Sequence, residues 1–119
     1  MVVLPGGLGG VESILASEEA LALVKAVHAA GRYVAAICAA PTILAKLHIT
    51  DGKRATCYPG MEAHMGSASM TGAPTEQDGT ILTGRAAGSA EAFGLRLLAA
   101  LHGEAAAAAV ADQIVSTGV

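Results

Sequence analysis

The 119-residue chain has no tryptophan, two tyrosines and one phenylalanine, so aromatic residues make up only 3% of it. A core built from it has to be packed with Ala, Val, Leu, Ile and Met. Basic residues are also few: seven Lys and Arg lie scattered against ten Asp and Glu, for a net charge of -3. Without a basic stripe or aromatic platforms, no nucleic-acid partner is expected. Apolar runs are interrupted by Gly, Pro or charge well before the roughly 20 residues of a membrane-spanning helix, and no basic segment precedes the first of them as in a signal peptide. The expectation is a cytoplasmic chain with no membrane partner. Cysteine is limited to Cys38 and Cys57, expected to be free thiols in such a compartment. The four histidines, His28, His48, His64 and His102, do not fall at metal-ligand spacing, so neither a metal nor another cofactor is expected.

What the chain does have is apolar material, 53% of its residues, enough for one globular domain over 1–119. Residues 1–4 read as a strand running into "LPGGLGG". Helical signals cover 13–30, with Ser17 as a cap, Glu18 and Glu19 in a first turn, and Gly31 as the stop. A buried strand is predicted over 33–37 and a helix over 39–48. A short strand follows at 54–57, then a loop or helical turn at 60–66. Two or three short strands occupy 67–84, with Asp78-Gly79 as a tight turn. Helices over 88–102, with Ala90, Phe93, Leu97, Leu98 and Leu101 on the buried side, and over 104–116 complete the pattern. Strands alternating with helices imply an α/β fold, a mostly parallel sheet covered on both faces. A buried parallel strand needs neighbours on both sides, yet this chain opens on one, so the architecture reads as incomplete at its N-terminus.

Cys38 stands where strand 33–37 turns into the next helix. In a doubly wound sheet this edge, at the carboxyl ends of the strands, is where ligands bind. A residue on the sharp strand-to-helix turn is pushed outwards there, beside backbone N–H groups that favour negative charge. Ala36, Ala39 and Ala40 are small, as a cramped turn requires. A cysteine in such a place can equally be a small buried hydrophobe. The glycine loop tips the balance towards function, because it also follows a strand and brings Gly6 and Gly7 to the same edge. One N–H from that loop and one from Ala39 could hold an oxyanion beside the sulfur. The loop does not match a phosphate-binding pattern: no GKS or GKT follows, and "GGLGG" is not GxGxxG.

Taken in order, "VVLPGGLGG", "AAICAAPTILAKL", "ATCYPGME" and "DGTILTGRAAGSAEAFGLRLLAALHG" resemble the ThiJ/PfpI superfamily, and within it the branch that contains the Parkinsonism-associated deglycase and its bacterial relatives. The resemblance runs over nearly the whole chain. It implies a flavodoxin-like fold, of which 1–119 is the C-terminal two-thirds, and a homodimer. It also implies that Cys38 is the reactive cysteine, with Gly7 and Ala39 as backbone donors. Two departures stand out. The family's N-terminal segment carries a glutamate that hydrogen-bonds the cysteine, and Glu12, Glu18 and Glu19 fall in the wrong segment to replace it. Tyr58 stands where several relatives have a histidine, and tyrosine is a poor general base at neutral pH.

Gly6, Ala40, Tyr58 and Arg85 are the expected pocket lining, Arg85 because "TGRAAGS" ends a predicted strand at the same edge. Cys57 precedes Tyr58 on a short strand and so points the other way. His64 is the one histidine in a loop near the expected pocket, and Met61, Met65 and Met70 are read as gap-fillers. The resemblance implies an enzyme acting on small reactive carbonyls, either a glyoxalase-type conversion of methylglyoxal or a deglycase removing early glycation adducts. Its alternative is a redox sensor or chaperone-like protein in which Cys38 is oxidised. An amidotransferase or peptidase would need a histidine close after the turn, and "CAAP" has none.

Overall fold

The structure, a computed structural model, describes residues 1–116. Strands β1 (Val2–Leu4), β2 (Val34–Ile37), β5 (Thr75–Asp78) and β6 (Ile81–Gly84) form one sheet in the order β1-β2-β6-β5. β1, β2 and β6 run parallel, with Val2 opposite Val34 and Val34 opposite Ile81, and β5 is antiparallel to β6. Helices α1 (Leu8–Leu15), α2 (Glu18–Ala29), α3 (Pro41–Lys46), α4 (Ala90–His102) and α5 (Glu104–Gln113) complete the fold, with a small parallel pair, β3 (Arg54–Ala55) and β4 (Ser69–Met70). No described helix is long and apolar enough to cross a membrane.

Period-two alternation divides the core. On β2, Val34 and Ala36 face a layer with Val11, Val24, Ile43 and Leu44 from α1, α2 and α3. Ala35 and Ile37 face Phe93 and Leu97 of α4 on the opposite side, together with Leu82 of β6. Helices on both faces of a mostly parallel sheet are the flavodoxin-like arrangement expected. β1 lies at one edge of the sheet, and its middle residue Val3 is 44% exposed.

Three expectations need correction. The helix read over 13–30 is two helices that break at Ala16–Ser17. Ser17 does cap the second: its hydroxyl accepts from the Ala20 amide at 3.2 Å. The first helix includes Gly9 and Gly10, each costing about 1 kcal/mol relative to alanine, so local propensity pointed to a loop. Burial of Val11 and the packing of Ile14 and Leu15 outweigh that cost. The helix after Cys38 is six residues long rather than ten. On α4 the buried residues are Phe93 and Leu95, while Leu101 is half exposed, because α4 also turns a face towards α5.

A charged latch joins the two sheets. The Asp78 carboxylate accepts the Arg54 amide at 3.0 Å, and the Arg54 guanidinium lies 3.7 Å from it. That amide, and then the Arg54 charge, hold the Asp78 carboxyl below its ordinary value. A carboxyl depressed by folding stabilises the protein above its unfolded pKa of about 3.9 and loses that contribution as pH falls through the folded value. Wild-type and Asp78→Asn proteins are therefore expected to differ in urea midpoint at pH 6 and to converge as pH drops below about 4. Urea titrations across that window check it.

Candidate functional site

Cys38 has a φ of +66°. Left-handed backbone costs an L-residue roughly 1–2 kcal/mol, and an ordinary turn would not need it. Three contacts hold it there. The Cys38 amide donates to the Gly84 carbonyl at 3.0 Å, and the Cys38 carbonyl accepts the Tyr58 amide at 2.8 Å. The next residues close into α3, where the Thr42 hydroxyl donates to the Ala39 carbonyl at 2.6 Å. The sulfur-bearing residue thus bridges the end of β2, the end of β6 and the loop after β3.

Two glycines make room for this. A Cβ on Gly6 would lie 2.6 Å from the Cys38 Cβ and 3.1 Å from the Ile37 carbonyl oxygen. A Cβ on Gly84 would lie 2.8 Å from Ile37 and 2.9 Å from Phe93. Gly7 has space around it but sits at φ +93°, which favours glycine for conformational reasons.

Half-buried Cys38 opens onto a cavity of about 450 Å³. Gly7 and Leu8 supply one wall, Cys38 and Ala39 the floor, and the loop Tyr58, Pro59, Gly60 and Met61 the other wall. Among the described residues, no backbone hydrogen bond uses the amides of Gly7 or Ala39. Both residues line the cavity with these amides unpaired. Because α3 has only six residues and begins at Pro41, which has no N–H, its field adds little.

The structure therefore brings Cys38, Gly7, Ala39 and Tyr58 together. Three residues expected in the lining are elsewhere. Gly6 packs behind Cys38 as its spacer. Ala40 is fully buried, its amide tied to the Ile37 carbonyl in the turn. Arg85 is drawn to the 71–74 loop: its amide donates to the Pro74 carbonyl, and its guanidinium lies over Gly72.

Cys57 is fully buried with Ala45, Ala55 and Met65, and burial first, then the Glu62 charge, push its thiol above the ordinary value. It faces away from the cavity, as alternation with Tyr58 requires. His64 is exposed and outside the lining. Among the described residues, no three His, Cys, Asp or Glu side chains converge as metal ligands would.

Leu8, Pro59 and Gly60 were not anticipated as lining, and Met61 was read as filler. The Pro59-Gly60 pair marks a turn, and that turn is the signal that locates the wall. Glu62 secures it: Oε1 accepts the Gly60 amide at 2.8 Å, and the Met61 amide donates to the Tyr58 carbonyl at 3.1 Å. Backbone amides, its own and that of Gly60, hold the Glu62 carboxyl below its ordinary value. Glu62→Ala is expected to weaken binding of a small molecule in the cavity several-fold, seen as a raised dissociation constant. Glu62→Gln, which keeps an acceptor, should restore most of it.

Residues 1–100 match the model of the DJ-1/PfpI family. The chain is 37% identical over 106 residues to protein dj-1beta of Drosophila melanogaster, covering 87% of this chain and 57% of that one. It is 32% identical over 113 residues to the Parkinson disease protein 7 homolog of Danio rerio, covering 92% and 60%. The crystal structure of Drosophila melanogaster DJ-1beta superposes with a TM-score of 0.89 at 35% identity, over 98% of this chain and 63% of that chain. Oxidised DJ-1 of Toxoplasma gondii superposes with a TM-score of 0.85 at 28% identity, over 92% and 60%. The chain thus spans 57–63% of the length of these relatives.

Proposed function

The chain belongs to the DJ-1/PfpI family, and from that membership we propose that it is a cysteine-dependent enzyme acting on small reactive carbonyls such as methylglyoxal or its early glycation adducts. The observation that supports this most is the strained Cys38, open to a cavity beside the unused amides of Gly7 and Ala39. Its thiolate attacks the aldehyde carbon: the sulfur–carbon bond forms, and the carbonyl π pair moves to oxygen. The Gly7 and Ala39 amides receive that oxyanion. For methylglyoxal, a proton then shifts from the attacked carbon to its neighbour, and water releases lactate and the thiol. The sum is methylglyoxal plus water to lactate. In the deglycase form the adduct and water give lactate and the free amine. Tyr58 is the other ionisable side chain in the wall and the candidate proton donor. Self-association as a homodimer, checked by light scattering, belongs to the same reading.

The test is loss of methylglyoxal in excess over protein. The expected result is many turnovers by wild type and none by Cys38→Ser. A second reading has support from the Toxoplasma relative, whose structure is of an oxidised form. There Cys38 thiolate attacks a peroxide oxygen, the O–O bond breaks, and sulfenic acid and hydroxide result. Stoichiometric oxidation of Cys38 without carbonyl turnover would select that reading.

A further inference from the structure

Strand β6 is buried along its whole length, and its parallel pairing with β2 sets Thr83 opposite Ala36. Strands covered on both faces read as apolar runs, and a hydroxyl placed among them has to be bonded. The Thr83 side chain is buried, and its Oγ1 accepts the Thr56 amide at 3.0 Å. Thr56 needs that acceptor. It is fully buried and follows the last residue of β3, where the pairing with β4 has ended. Its own hydroxyl, buried and without a partner among the described residues, ties it to nothing. The bond therefore joins the chain leaving the small sheet to the main one.

That chain leads directly into the cavity wall. Two residues on, the Tyr58 amide donates to the Cys38 carbonyl at 2.8 Å, and Cys57 between them is fully buried. On β6 the residue after Thr83 is Gly84, whose carbonyl accepts the Cys38 amide at 3.0 Å. Consecutive residues of one strand thus hold the two sides of the cavity: Gly84 holds the cysteine, and Thr83 holds the segment that carries Tyr58. We infer that Thr83 is a positioning residue for the candidate site. Its hydroxyl sets residues 56–58 against Cys38 and keeps Cys57 closed. Valine has the same branched shape and suits a strand equally well, so the Thr56 amide is what calls for a hydroxyl here. The effect of Thr83 on turnover rests on the carbonyl reaction proposed above, whereas its effect on the two thiols does not.

Two variants separate the hydroxyl from the packing: Thr83→Val keeps the shape and removes the acceptor, and Thr83→Ser keeps the acceptor. Iodoacetamide labelling of each thiol is followed by peptide mass spectrometry, without urea and in low urea. Amide exchange is measured on the wild-type protein, where Thr56 should exchange as slowly as Cys38. In Thr83→Val, Cys57 should label at least about tenfold faster than in wild type, the scale expected when a buried donor loses its acceptor. That rate should barely respond to low urea, because the opening is local and exposes little surface. Thr83→Ser should return Cys57 close to the wild-type rate. Fast exchange at Thr56 in wild type would overturn the inference, and so would unchanged Cys57 labelling in Thr83→Val. Labelling that rises steeply with urea, or equally in both variants, would reduce Thr83 to a general stabiliser and also overturn it. If Thr83→Val does not fold, Thr56 exchange and the Thr83→Ser labelling decide. With methylglyoxal, Thr83→Val should lose kcat/KM and Thr83→Ser regain it. The labelling pattern without turnover by wild type would support the positioning and refute the carbonyl enzyme.

Discussion

Gly6→Ala is expected to lower the proposed Cys38-dependent carbonyl turnover about 100-fold while the protein remains folded, because displacing a reacting group by about 1 Å costs that much. The added methyl would meet the Cys38 Cβ at 2.6 Å and the Ile37 carbonyl at 3.1 Å. Neither is the loose end of a flexible side chain, so backbone must move. The β2 strand is held on both sides by β1 and β6. The yielding part is therefore the elbow, and with it the sulfur. The Gly7 amide, one residue on, moves too, so the proposed nucleophile and oxyanion donor lose their registry together. The check is kcat/KM for methylglyoxal beside a circular-dichroism spectrum. Unchanged activity would mean that Cys38 is not held by the Gly6 contact.

The second large effect separates strain from chemistry. Cys38→Gly is expected to abolish turnover and yet raise stability. Glycine relieves the left-handed cost of roughly 1–2 kcal/mol and gives back about 0.5–1 kcal/mol in unfolded-chain entropy. The net gain is up to about 1.5 kcal/mol, read as a higher urea midpoint at unchanged slope. A protein that accepts such a residue at a half-buried elbow gives up stability for position, as strained functional sites do. A Cys38→Gly protein less stable than wild type would show that the thiol's packing outweighs its strain.

Much of the fold was legible in the sequence because the signals were strong and local. Gly31, Ser17, the Asp78-Gly79 turn and the β-rich 33–37 run each fixed an element near its true place. The place of Cys38 was legible from two signals together, the junction of strand and helix and the glycine loop that follows the first strand to the same edge. Reading failed where tertiary contacts overrode propensity. Gly9 and Gly10 argued against α1, and only the burial of Val11 against the sheet explains it. The cavity was half legible. Tyr58 could be assigned by alternation with Cys57, whereas Leu8 entered through a helix that propensity hid. Arg85 was misplaced for a similar reason: the end of β6 fixes where its backbone leaves the sheet, and the loop at 71–74 decides where its guanidinium goes.

The account stands on Cys38 being presented to the cavity while Cys57 is sealed. Site-resolved alkylation measures that most directly, with iodoacetamide on the native protein at pH 7 and peptide mass spectrometry to separate the two thiols. Cys57 is fully buried, and burial pushes its thiol above the ordinary value, so labelling there waits for the protein to open. The expected result is modification of Cys38 at least about tenfold faster than Cys57, with the difference vanishing in denaturant. Equal rates in the native protein, or faster labelling of Cys57, would contradict the account.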